Sequence, residues 1–187
     1  MKKEVILASH SPRRRELLEA NGIEFLALTA DIDETLDADK VLPLALEDLA
    51  YRKAEAVFRT HPDALVIGSD TVVTLDGTVL GKPKDEEDAK RMLRSLSGRT
   101  HQVITAVCLL SDEKKECFHS ITDVQFYDLS EEEIDRYVAS GEPMDKAGAY
   151  GIQGKGCRLV KAIRGDYYTV VGFPIAEVLR RLDKEEK

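Results

Sequence analysis

The chain has 187 residues, of which 43% are hydrophobic, 33% charged and 6% aromatic, a length that suits one soluble domain or two tightly fused lobes. With 27 Lys and Arg against 35 Asp and Glu the net charge is −8, a sign that repels nucleic-acid backbones and anionic lipid surfaces. No apolar run approaches the ~18 residues of a bilayer span, and Met1-Lys2-Lys3-Glu4 leads into a short apolar stretch rather than a signal-peptide core, so a cytoplasmic protein without nucleic-acid or membrane partners is expected.

Residues 4–9 read as a short strand. Ser11-Pro12 then starts a helix, with Ser11 at the N-cap, Pro12 in the first position, Leu17, Leu18 and Ala20 as its buried face and Gly22 as its stop. A strand over 23–29 leads into an acidic loop, 31–39. In the next helix, near 44–60, Leu46, Leu49, Ala50, Ala54 and Val57 follow helical spacing, which puts Lys53 on the apolar face.

The apolar run 64–68 ends in Ser69-Asp70 and predicts a strand buried on both faces with its polar groups at the carboxyl end. Segments 71–75 and 78–80 flank Asp76-Gly77, a tight-hairpin signal. A helix is expected over 85–96, stopping at Gly98, followed by strands over 101–110 and 116–127. Ser130 with Glu133 forms a capping box that opens a helix to Ser140. Residues 147–156 carry four glycines and must leave regular structure. Strands over 157–163 and 168–171 and an amphipathic helix over 174–182 complete the chain. Helices alternating with strands and hairpins predict an α/β fold around a mixed sheet. Cys108, Cys117 and Cys157 are odd in number and widely spaced, so all three are expected to be reduced.

Several residues carry chemistry. Arg13, Arg14 and Arg15 occupy a helical first turn, where the dipole is already positive; they form either a phosphate cradle with Ser9 or a solvated basic face. Asp70, beyond a buried strand, either activates water or holds a divalent ion, or caps a turn. Lys53 needs an anionic partner or must snorkel. Lys82, between Gly81 and Pro83, is a further phosphate contact or an exposed turn lysine. Gln153, among glycines, offers a donor and an acceptor side by side, which suits a base edge. His10, His61, His101 and His119 lack metal-ligand spacing and are expected in surface or strand roles.

Leu7-Ala-Ser-His-Ser-Pro-Arg-Arg-Arg-Glu-Leu-Leu18, Gly68-Ser-Asp-Thr-Val-Val73, Gly81-Lys-Pro83, Leu96-Ser-Gly-Arg-Thr-His101 and Glu142-Pro-Met-Asp-Lys-Ala-Gly-Ala-Tyr-Gly-Ile-Gln-Gly154 occur in order. Together they resemble the Maf family of nucleoside triphosphate pyrophosphatases. The resemblance implies an elongated, two-lobed α/β fold related to the inosine-triphosphate pyrophosphatases, with a cleft, a divalent metal (Mg²⁺ or Mn²⁺) and frequent homodimers. The glycine block and Asp166-Tyr-Tyr-Thr-Val-Val171 are similar to the dTTP/UTP branch. By position, Asp70 matches the family's catalytic carboxylate, and Arg13, Thr71 and Gln153 its specificity positions. Ser9, Arg14, Glu34, Lys53 and Lys82 match its other active-site groups, with Glu34 and Asp70 the expected metal contacts. Ser69 stands where Ala is frequent and Phe173 where Leu is frequent. The competing expectations are the same cut on 7-methyl-GTP or an inosine triphosphate, a plain phosphatase, and a nucleotide-sensing division regulator without turnover.

Overall fold

The computed structural model describes residues 3–29 and 31–183; Met1 and Lys2, considered above for a leader, lie outside the described residues. In chain order the elements are β1 (Val5–Ala8), α1 (Pro12–Ala20), β2 (Leu26–Ala27), α2 (Leu42–Phe58), β3 (Leu65–Leu75) and β4 (Thr78–Leu80). They continue as α3 (Glu86–Leu96), β5 (Thr100–Leu110), β6 (Lys115–Phe126), α4 (Glu131–Val138), β7 (Val160–Arg164), α5 (Tyr167–Val171) and α6 (Ile175–Leu182). The strands form one sheet in the order β2-β1-β3-β5-β6-β7, with β4 paired to β3. β1 runs parallel to β2 and β3, whereas β3–β4 and β6–β7 are antiparallel, so the sheet is mixed as expected. Among the described residues no helix is long and apolar enough to cross a membrane.

The chain divides into two compact units, the first made of Met1–Asp70, Thr105–Ser120 and Gly172–Lys187, the second of Thr71–Ile104 and Ile121–Val171. In the first, every residue of β1 is buried, as a strand with parallel neighbours on both sides demands. Val5 and Leu7 pack with Leu18, Ile67, Leu109, Phe118, Phe173 and Val178, while Ile6 and Ala8 pack with Ala54, Val57 and Val66. Helix α2 lies so close to β3 that a Cβ on Gly68 would stand 2.1 Å from the Ala50 carbonyl oxygen and 2.8 Å from the Ala54 nitrogen. Glycine is required there by the close approach of two backbones.

In the second unit Ala89, Met92, Leu93 and Leu96 of α3 pack with Ile134, Tyr137 and Val138 of α4, and with Val103 and Phe126. Asp85 caps α3 by accepting from the Asp88 amide at 2.8 Å, and the expected capping box of Ser130 and Glu133 opens α4. Both first turns are acidic, which complements the helix dipole.

Four expectations are corrected here. The strand over 23–29 shrinks to Leu26–Ala27. Segment 168–171, expected as a strand from its β-branched residues, lies in helix α5. There the Asp166 carboxylate accepts from the Thr169 amide (2.6 Å) and hydroxyl (2.9 Å), a local cap that outweighs strand propensity. Cys108 and Cys117 are joined as a disulfide rather than reduced, with Cα atoms 4.0 Å apart. The turn closed by the Ser111 amide on the Lys114 carbonyl (2.8 Å) sets residues equally far from it side by side. Cys157, placed in a 3₁₀ turn instead of a strand, is free and exposed.

Candidate active site

In the first unit β1 and β3 run parallel with Ala8 opposite Gly68, so Ser9 follows the carboxyl end of β1 beside Ser69-Asp70; the strand expected to end at Ser69-Asp70 instead runs on to Leu75, which places Asp70 in the middle of β3, just past its pairing with β1. Ser9 is buried. Its Oγ accepts from the Ser11 amide (3.1 Å) and from Arg14 Nη1 (3.0 Å). Arg14 Nη1 also donates to the Ser69 carbonyl and Nε to the Gly172 carbonyl, each at 2.9 Å. Arg14 is therefore a fixed cation below the surface, not part of a solvated basic face. Burial pushes its guanidinium down from the usual range, a pull opposed by the charge of Asp70 and reinforced by Arg13. An arginine nonetheless keeps its proton. No acidic residue occupies the first turn of α1, so its amides and Arg13 leave a positive helix end.

Lys53 answers the question its position in α2 raises: it has an anionic partner. Its ammonium donates to Asp70 Oδ1 at 2.6 Å and pairs with Glu34 Oε1 at 2.9 Å. The side chains of Lys53 and Asp70 are 15% and 22% exposed and that of Glu34 65%, so the carboxylates are held by one shielded cation but open to solvent on Glu34's side. Glu34 owes its place to its neighbours. Asp33 accepts from the Thr35 amide (2.8 Å) and hydroxyl (2.6 Å), which bends the loop and holds the Asp33 carboxyl below its ordinary range. Arg52, next to Lys53, donates to the Thr35 carbonyl (2.7 Å) and to that of Asp33. Sequence reasoning misses Arg52; the spacing Asp33-Glu34-Thr35 hints only at a turn needing an anchor.

In the second unit Thr71 continues β3 directly after Asp70, and Lys82 is exposed after β4. The glycine block packs on that turn: the Gly148 amide donates to the Gly81 carbonyl at 3.0 Å. A Cβ on Gly148, at φ 70°, would stand 2.9 Å from Val73 Cγ1, so no larger residue fits. Exposed Gln153 precedes the 3₁₀ turn Gly154–Arg158. Glu142, at the head of the block, bonds the backbone of that turn.

Ser9, Arg14, Glu34, Lys53 and Asp70 thus gather in the first unit, with Arg13 beside Arg14, while Thr71, Lys82 and Gln153 belong to the second. The histidines take the roles expected of them. His101 is 2% exposed, 2.7 Å from the Tyr150 hydroxyl and edge-on to Phe126, and burial pushes it down to about 4. His10 bonds Thr29 at 2.7 Å and His119 pairs with Glu47 at 2.6 Å. Among the described residues no three or more His, Cys, Asp or Glu side chains converge as a metal site.

The family described as Maf-like protein matches residues 4–185, and the chain belongs to that family. It is 52% identical over 180 residues to the dTTP/UTP pyrophosphatase of Bacillus cytotoxicus, covering 96% of this chain and 94% of the relative. The dTTP/UTP pyrophosphatase of Bacillus mycoides is 51% identical with the same coverage. The Ham1 protein of Staphylococcus aureus shares the fold, with a TM-score of 0.58 at 14% identity over 99% of this chain and 100% of that one.

Proposed function

We propose that this chain hydrolyses UTP and dTTP to the nucleoside monophosphate and pyrophosphate. Its relatives at about half identity carry the name of that activity. The observation that carries the reading is Lys53 holding Asp70 and Glu34 on one ammonium, with Arg14 fixed on the carbonyl of Ser69, the residue before Asp70.

In this reading Asp70 takes the proton of the attacking water on a carboxylate oxygen. Lys53 fixes the direction in which that carboxylate faces. The amides of the first turn of α1, with Arg13 and the locked Arg14, supply donors for phosphate oxygens and for the charge that builds on departing pyrophosphate. Lys82 is assigned to the same task.

A divalent ion, Mg²⁺ or Mn²⁺, fits the donor set. Glu34 and Asp70 offer hard carboxylate oxygens held within reach of one ammonium, and Mg²⁺ is commonly bound through one or two carboxylates while substrate phosphates and waters fill its shell. Such an ion would neutralise phosphate charge.

Gln153 and Thr71 are assigned to the O4 and N3–H edge of uracil or thymine. Neither contact involves C5, so dTTP, UTP and 5-modified uridine triphosphates are taken alike. Cytosine reverses the donor and acceptor pattern and is rejected, because it leaves polar groups unpaired. The test is a panel of triphosphates in Mg²⁺ with the released phosphate species identified. UTP and dTTP giving pyrophosphate, with CTP and purines slow, supports the reading; binding of UTP without turnover contradicts it.

A further inference from the structure

We propose that Glu142 is a positioning residue for Gln153: it fastens the loop around Gln153 so that the carboxamide meets the base in one register. The proposal rests on the base-reading role given to Gln153 above.

The bonds bracket that residue. Glu142 Oε1 accepts from the Tyr137 hydroxyl and from the Gly156 amide, and Oε2 from the Lys155 amide, each at 3.0 Å. The Tyr137 oxygen in turn accepts from the Gly151 amide at 3.2 Å. One carboxylate and one phenol thus hold residue 151 before Gln153 and residues 155 and 156 after it. Gln153 itself is exposed and extended, at φ −86° and ψ 170°.

The charge states suit the task. Burial works against an ionised Glu142, but the Lys155 and Gly156 amides, the Tyr137 hydroxyl and the Lys146 ammonium outweigh it, so its carboxyl lies below the ordinary range. Burial drives Tyr137 well above the usual phenol range, so it remains a donor to Glu142. Hydrogen bonds to an ionised acceptor are the stronger kind.

The glycines complete the device. A Cβ on Gly154, at φ 63°, would stand 2.8 Å from Glu142 Oε2. One on Gly156 would stand 2.0 Å from the Gly151 carbonyl oxygen and 2.8 Å from the Tyr137 hydroxyl. The backbone closes on its two acceptors only because side chains are missing there. A reading group on a loop ordered beforehand spends less of its binding energy on ordering, so loss of the clamp weakens recognition of the base before it weakens chemistry.

The test uses the full-length protein in Mg²⁺, with Glu142→Gln, which keeps size but loses the charge and one acceptor, and Tyr137→Phe, which keeps the ring in the core. Steady-state kinetics are measured with UTP and CTP. In Glu142→Gln we expect KM for UTP to rise about tenfold, kcat to stay within about twofold, and the preference for UTP over CTP to fall by about the same tenfold. Tyr137→Phe shifts the same quantities in the same direction. Parallel loss of kcat on both substrates at constant preference, or wild-type kinetics in both variants, overturns the proposal.

Amide exchange over residues 151–156 is measured without nucleotide. Exchange of the Lys155 and Gly156 amides at least about tenfold faster in Glu142→Gln supports the clamp, and unchanged exchange overturns it. Should the wild-type protein hydrolyse CTP as readily as UTP, the base-reading role of Gln153 fails, and the exchange result alone then decides whether Glu142 holds the loop.

Discussion

Lys53 donates to Asp70 across the packed face between α2 and β3, Nζ to Oδ1 at 2.6 Å, and the pair is mostly shielded from water. Lys53→Met leaves Asp70 and Glu34 facing each other without their shared cation. Activity on UTP is expected to fall by about a hundredfold or more. Folding stability is expected to fall by about 1–3 kcal/mol, below the cost for a fully buried pair because Glu34 is open to solvent. Steady-state kinetics and urea denaturation check the two effects; a fully active Lys53→Met contradicts the assignment.

Glu34 is held by the turn at Asp33-Thr35 and by Arg52, yet its own carboxylate is largely exposed. Glu34→Gln is therefore expected to leave stability within about 0.5 kcal/mol of wild type. If Glu34 helps to hold the divalent ion, the Mg²⁺ concentration for half-maximal rate rises about tenfold or more. A metal titration at saturating UTP reads the shift, and calorimetric titration with Mn²⁺ alone reads it without turnover. An unchanged midpoint removes Glu34 from the metal site.

Gly68 lets α2 rest on β3, and a methyl group there meets the Ala50 carbonyl and the Ala54 amide nitrogen. Gly68→Ala is expected to cost at least about 1–3 kcal/mol of stability, since both obstacles are backbone. Because Lys53 and Asp70 sit on the two displaced elements, turnover falls even in the fraction that folds. Urea midpoints, with activity normalised to folded protein, separate the effects.

His101 is buried and neutral, with its pKa lowered by burial from 6.5 to about 4. The unfolded chain therefore binds a proton below pH 6.5 that the folded chain refuses until about pH 4, so this contribution to stability is intact above 6.5 and fades as the solution is acidified through that window. The whole step amounts to about 3 kcal/mol. Urea denaturation at several pH values between about 7.5 and 4 tests it. The slope in wild type should flatten in His101→Phe, and equal slopes would place the acid sensitivity elsewhere.

The parts of the site legible in the sequence are those whose physics is local. Lys53 falls between Ala50 and Val57 on a buried helical stripe, and a buried ammonium must find an anion. Asp70 ends an apolar run, and Asp76-Gly77 adopts the positive φ values (50° and 79°) that its hairpin requires. Arg14 lies four residues before buried Leu18, but Arg13 stands in the same relation to Leu17, so which arginine of the three turns inward shows only in the fold. What the sequence hides depends on distant backbone. Arg52 and Glu142 bond carbonyls and amides, and a backbone partner leaves no trace in the residue identity at its position. The disulfide is hidden for a related reason: Cys108 and Cys117 meet only once the register of the β5–β6 hairpin is set. Helix α5 escapes a reading by propensity because one cap by Asp166 overrides the strand preference of the residues that follow.

The most direct test of the central claim is the identity of the products from UTP in Mg²⁺, followed by ³¹P NMR for wild type and Asp70→Asn. UMP and pyrophosphate are expected in equal amounts before any orthophosphate, with Asp70→Asn slower by about a thousandfold at little change in KM. UDP and orthophosphate as first products, or an Asp70→Asn protein as fast as wild type, would contradict that claim.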